Sequence, residues 1–197
     1  MLSTKHSIMT LLNTLFLSSL YDGSPDEKLI IARRLQAIFD DQLPLMSQSA
    51  SALTTVHPHV MALEQHMQAM GLGQLCSRCA AGAGGGCCSA YMADNCDVIQ
   101  ILLNLLMGIP VTFDHQSTEN CGFLGPYGCQ FRLKPIFCLN YNCTHILRGV
   151  SPQSLALLYQ LANTVLRQQA IIEDLLLTEL HTLIKDGHIK KDTLQQH

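Results

Sequence analysis

Tryptophan is absent from this chain and phenylalanine is scarce. The core must therefore be built from Leu, Ile, Met and Ala, a set that favours packed helices over sheets. Charge is sparse as well: 14% of residues are charged, 12 basic against 15 acidic, for a net of -3. No basic patch stands out, which argues against a nucleic-acid partner. No stretch reaches the roughly 18 to 20 apolar residues of a membrane span. The run Gly82-Ala83-Gly84-Gly85-Gly86 lacks the Lys-Ser/Thr of a phosphate loop. An export signal also looks absent. Residues Ile8–Leu20 follow Lys5, but Asn13, Thr14, Ser18 and Ser19 interrupt them and no small-residue cleavage site follows. They read as an amphipathic first helix, and the chain as cytoplasmic.

Against these absences, 48% of the chain is apolar, which excludes general disorder, and helix signals recur. Ser24-Pro25 with Glu27 predicts a helix start, and a helix over Pro25–Asp41 would bury Leu29, Ala32, Leu35, Ile38 and Phe39. Pro44 and the Ser-rich stretch Ser47–Thr55 read as a loop. A third helix follows over Pro58–Met70, stopped by Gly71 and Gly73. Asp94 or Asn95 would cap a helix reaching Met107, apolar almost all round and thus either deeply buried or the meeting place of a partner. Ser151-Pro152 opens a long helix to about Asp186, ended by Gly187. Its stripe of Leu155, Leu158, Ala162, Val165, Ile172, Leu176, Leu180 and Leu183 keeps close to the helical period. Such a helix either braces the molecule or pairs with a copy of itself.

The distinctive chemistry is in thiols. There are nine cysteines, an odd number poorly suited to structural disulfides in an unexported chain. Eight form two quartets: Cys76, Cys79, Cys87, Cys88, then Cys121, Cys129, Cys138, Cys143. Cys76-x-x-Cys79 lets both thiols face one metal, and equally allows a redox disulfide. Cys87 and Cys88 could share one centre only in a sharp turn, which the preceding glycines make cheap. Cys96 reads as a buried small residue, or as a substitute ligand. Tyr91, Phe123, Tyr127, Phe131, Phe137 and Tyr141 lie near the cysteines in sequence, suited to shielding a centre or filling a small core. His57, His59, His66, His115 and His145 do not cluster and read mainly as surface or cap groups.

The segments Cys121-Gly-Phe-Leu…Gly128-Cys129 and Lys134-Pro135-x-x-Cys138-x-x-x-x-Cys143, after a CxxC and a paired Cys, resemble the YkgJ-like family of small cysteine-rich domains. That family is described as zinc- or iron-chelating. Its common form has Pro where Gly122 stands, a residue between Gly and Cys where Gly128 directly precedes Cys129, and Arg where Lys134 stands. The resemblance spans residues 76–143. It implies metal ligation by Cys76, Cys79, Cys87, Cys88, Cys121, Cys129, Cys138 and Cys143, with Cys96 as a further candidate. It leaves iron–sulfur and zinc both open.

A soft metal suits thiolates: zinc, an iron–sulfur cluster or copper(I). Wide, glycine-rich spacing favours a [4Fe–4S] cluster over zinc, with zinc the alternative. The resulting expectation is a mainly α fold: one helical domain over residues 1–197, an irregular cysteine-rich metal-binding module embedded at 76–143, and a long C-terminal helix. Its function would be electron transfer or metal and cluster handling. The alternatives are a cluster-dependent redox enzyme, using Asp94, Asp97, Asp114 or Glu119, and a zinc-stabilised interaction or scaffold protein. A protein partner or homodimer would use the apolar helices.

Overall fold

A computed structural model describes residues 18–42, 47–82, 86–116, 119–140 and 143–189. Most of the expected first helix, Pro44, Gly84, Gly85, Tyr141 and Asn142 lie outside them. The fold is mainly α, with eight helices and one two-stranded antiparallel hairpin among the described residues. In chain order they are α1 (Pro25–Gln42), α2 (Ser47–Ala69), α3 (Leu72–Ala80), α4 (Ala90–Asp94) and α5 (Val98–Leu106). The hairpin β1 (Leu124–Gly125) and β2 (Gly128–Cys129) follows, then α6 (Ile136–Asn140), α7 (Thr144–Gly149) and α8 (Pro152–Lys185).

Helix α1 starts in a reciprocal capping box. The Ser24 amide donates to Glu27 Oε2 at 2.7 Å, and the Glu27 amide donates to Ser24 Oγ at 3.4 Å. Its apolar face (Leu29, Ala32, Leu35, Phe39) is buried on α5. Helix α5 is the centre of the molecule, with every residue from Val98 to Leu105 buried. Its cap is Asp97, whose Oδ1 accepts the Gln100 amide at 2.7 Å, in place of the expected Asp94 or Asn95.

Helix α8 is capped by Ser151, whose Oγ accepts the Ser154 amide at 3.1 Å, and ends before Gly187 at φ +78°. At 34 residues it is roughly 50 Å long at 1.5 Å per residue. It lies along α2 and braces that helix, α5 and α6.

The Ser-rich stretch is helical. Helix α2 runs from Ser47 straight through Pro58, so the proline sits mid-helix and not at a start. Burial of Val56, Val60 and Leu63 overrides the weak propensity of Ser and Thr, and α8 supplies a cap from outside: the Ser49 amide donates to Glu179 Oε1 at 3.3 Å. The hairpin strands are only two residues each.

The cysteine-bearing segment is held by the same apolar core as the helices. Phe123, Phe131 and Leu133 are fully buried in it. The expected metal-binding module is corrected below.

Candidate functional site: a thiol-lined cavity

Two glycines set the position of the first cysteines. A Cβ on Gly73 of α3 would lie 2.1 Å from the Tyr127 carbonyl oxygen. Gly128, at φ +114°, would put a Cβ 2.7 Å from the Gly73 Cα. Backbone therefore meets backbone where α3 crosses the hairpin, a closeness only glycine permits. Ser77 Oγ ties the same two elements by donating to the Gly125 carbonyl at 2.9 Å. This contact helps position Cys76, one turn further along α3, which lines the same cavity as Cys129 at the hairpin's end.

The second segment arrives by strand-like pairing. The Cys121 amide donates to the Cys88 carbonyl at 3.0 Å, and the Ala90 amide to the Glu119 carbonyl at 2.9 Å. Cys88 is thereby laid beside Cys121, and it lines the same cavity as Cys76. Cys138 reaches the same region from α6, and Cys143 stands at the N-cap of α7. A cavity of about 140 Å³ is lined by Cys76, Cys88, Cys96, Cys121, Cys129 and Cys138, with Met67, Met92, Phe123 and Phe131 as apolar walls. Cys87 lines an adjoining cavity of about 370 Å³ that Cys76, Cys88 and Cys138 also border.

The thiols gathered here are not equivalent. Cys76 and Cys88 line the same cavity and shift each other in opposite directions through side-chain hydrogen bonding. That bond, with the Lys134 ammonium adding to it and burial opposing, brings Cys76 down to about 7. Cys88, as the partner that keeps its proton, is pushed far up by the same bond and by burial. Burial raises Cys121 to about 11 and Cys138 to about 12, with neighbouring cysteine thiolates adding in both cases. Cys87 is raised by burial and by Cys76, Cys143 and Cys79. Cys96 is buried, donates to the Met92 carbonyl at 3.5 Å, and is raised by that burial. It reads as a core residue.

The expected metal centre is corrected by this arrangement. Among the described residues no group of three or more His, Cys, Asp or Glu side chains is placed to hold a metal ion, although all nine cysteines are described, and all are free thiols. The resemblance to the YkgJ-like chelating family, the cysteine-rich metal-binding module, the [4Fe–4S] or zinc cofactor and the cluster-handling function are all overturned on that finding. The physical reason is divergence. Cys96 turns to a backbone carbonyl, Cys76 and Cys88 act on each other, and Cys87 lines only the adjoining cavity. The spacing in sequence brings the thiols into one neighbourhood but not around one point.

The acidic candidates scatter similarly. Asp97 is a helix cap, and Asp114 Oδ1 accepts the Gln116 amide at 2.9 Å in a local turn. His115 Nδ1 pairs with Asp26 at 3.0 Å, and His66 Nε2 contacts the Ser154 carbonyl at 2.8 Å, joining α2 to α8. Lys134, one of the few cations that the sequence sets near the cysteines, acts on Cys76. Sequence reasoning missed a buried amide chain of Gln100, Asn104 and Gln169. The signal for the first two was present: polar residues four apart in an otherwise apolar helix.

No protein-family model matches this chain, and neither a curated protein nor a solved structure matches it. No helix among the described residues is long and apolar enough to cross a membrane.

Proposed function

We propose that the chain is a thiol–disulfide exchange protein, with Cys76 as the attacking sulfur and Cys88 as the resolving one. The observation that carries this reading is that both thiols line one cavity, where the Cys88 side chain lowers Cys76. A thiolate attacks best when its pKa is near ambient pH, and Cys76 at about 7 meets that condition. Cys121 and Cys138, at about 11 and 12, stay protonated at neutral pH and do not compete.

The step balances with a disulfide as the oxidant. Cys76 Sγ attacks one sulfur of the incoming disulfide; that S–S bond breaks, and the departing thiolate takes a proton from water. Cys88 releases its proton to solvent, and its sulfur attacks Cys76 Sγ. The Cys76–Cys88 bond forms as the second substrate thiolate leaves and is protonated. Two electrons pass from the protein's thiols to the substrate, which ends as two thiols. A cytoplasmic setting suits this reading, because a reducing compartment returns the pair to thiols.

Exposed Tyr127, Tyr91 and Ile136 lie beside or between the cysteine segments, and exposed Leu157, Tyr159 and Ile171 lie on α8. A protein partner, or a second copy, would dock on such residues, since α5 spends its apolar surface inside the chain.

Titrating the reduced protein with a small aromatic disulfide and mapping the products by mass spectrometry tests the assignment. The first internal disulfide is expected to be Cys76–Cys88, with Cys76→Ser abolishing it. A first bond joining any other pair would remove these two residues from the role.

A further inference from the structure

The Pro135–Phe137 segment also borders a third cavity, of about 210 Å³, between α5, α6 and α8, which no cysteine lines. Its polar lining is acidic and acceptor-rich. Asp97 and Glu173 border it, and neither is in a salt bridge among the described residues. Lys28, a cation that lowers Asp97, spends its ammonium on the Asp94 carbonyl at 2.6 Å and does not line the cavity.

A separate observation comes from Gln169, which also lines this space and is only 4% exposed. Its Nε2 donates to Gln100 Oε1 at 2.8 Å and to Glu173 Oε1 at 3.0 Å. Two acceptors on that side fix which end of the amide is nitrogen. Its Oε1 is buried and has no hydrogen-bond partner. A buried acceptor left unanswered costs about 1 to 3 kcal/mol, which the fold recovers only if a donor arrives. Two carboxylates that accept hydrogen bonds but have no salt-bridge partner among the described residues, and an orphaned amide oxygen on a residue lining the same cavity, ask for the same thing: a positive group with several N–H donors. The space exceeds what a bare ion needs, and its apolar walls, Phe137 and Leu166, suit a hydrocarbon stem.

We propose that this cavity binds an alkylguanidinium group, its N–H fork shared among Asp97, Glu173 and Gln169 Oε1 and its stem lying on Phe137 and Leu166. Guanidinium fits better than ammonium because it is planar, carries five donors and is weakly hydrated, so it enters a partly buried site at lower cost. The group can belong to a free small molecule or to an arginine side chain presented by a peptide.

Calorimetric titration of the full chain with n-butylguanidinium, and with neutral n-butylurea as its isostere, tests the site. Saturable binding of the cation is expected, with the urea at least tenfold weaker. Glu173→Gln and Asp97→Asn should each weaken the cation at least tenfold. Asparagine still caps a helix, so the second variant keeps the start of α5 intact and guards against loss of fold. Equal binding of the two probes, no binding of the cation, or indifference to both substitutions in folded protein would overturn the proposal. An arginine-containing peptide binding tenfold tighter than n-butylguanidinium upholds the site and assigns it to a protein side chain. Equal or weaker peptide binding upholds it for a free small molecule.

Discussion

At the scale of single residues, the chemistry turns on one hydrogen bond. Cys88→Ala removes the S–H donor that holds Cys76 at about 7, leaving burial to act with less opposition. The midpoint of Cys76 alkylation should then climb by a unit or more, lowering its rate at pH 7 about fivefold or more. A pH series of alkylation rates read by peptide mass spectrometry checks this; an unchanged midpoint would mean that Cys88 does not supply the bond. Asn104 is the corresponding structural residue. Its Nδ2 donates to the Gln100 and Leu133 carbonyls at 2.9 and 2.8 Å, and its Oδ1 accepts the Arg132 and Leu133 amides at 2.8 and 3.1 Å. Every donor and acceptor of the side chain is used. Asn104→Leu strands two amides in the core and should cost about 3 kcal/mol in urea denaturation.

At the scale of elements, the helices that carry their own caps were the readable ones. Ser24 with Glu27, and Ser151 with Pro152, mark the starts of α1 and α8 where local chemistry alone puts them. Helix α2 was not legible over Ser47–Thr55, because what stabilises it there is Glu179, far away in sequence, and a buried face whose value depends on α8. The cysteines show the same limit. Their spacing announced that thiols would gather, but whether they converge on a point depends on how α3 meets the hairpin and how the Cys88 segment pairs with Cys121. No spacing rule encodes either contact. Leu176, fully buried on α8, tests the brace: Leu176→Ala should cost about 2 to 5 kcal/mol, read as a lowered denaturation midpoint.

At the scale of the whole molecule, the acidic cavity makes stability depend on pH. Burial raises both Asp97 and Glu173 from 3.8 and 4.5; Gln100 and Ile99 backbone bonds and Lys28 oppose this at Asp97, Gln169 opposes it at Glu173, and Asp174 adds to the rise there. Tyr21 feels both carboxylates in turn. A carboxyl raised on folding contributes stability that is complete below its unfolded pKa and is lost as pH climbs through the folded value. Their share of stability should therefore fall on going upward from about pH 4, and Glu173→Gln should flatten that fall. Urea midpoints at several pH values, for both proteins, measure it; parallel curves would show that Glu173 does not titrate within the fold.

The contact between Gly73 and Gly128 carries a consequence for relatives of this chain. With no clearance between the two backbones, neither position can accept a side chain while the other stays where it is. Related sequences should hold glycine at both places together. Where one has drifted, α3 must have tilted off the hairpin, and the cysteine aligned with Cys76 is then free to be lost as well. Shared ancestry of the thiol pair would thus be readable from two residues that contain no sulfur.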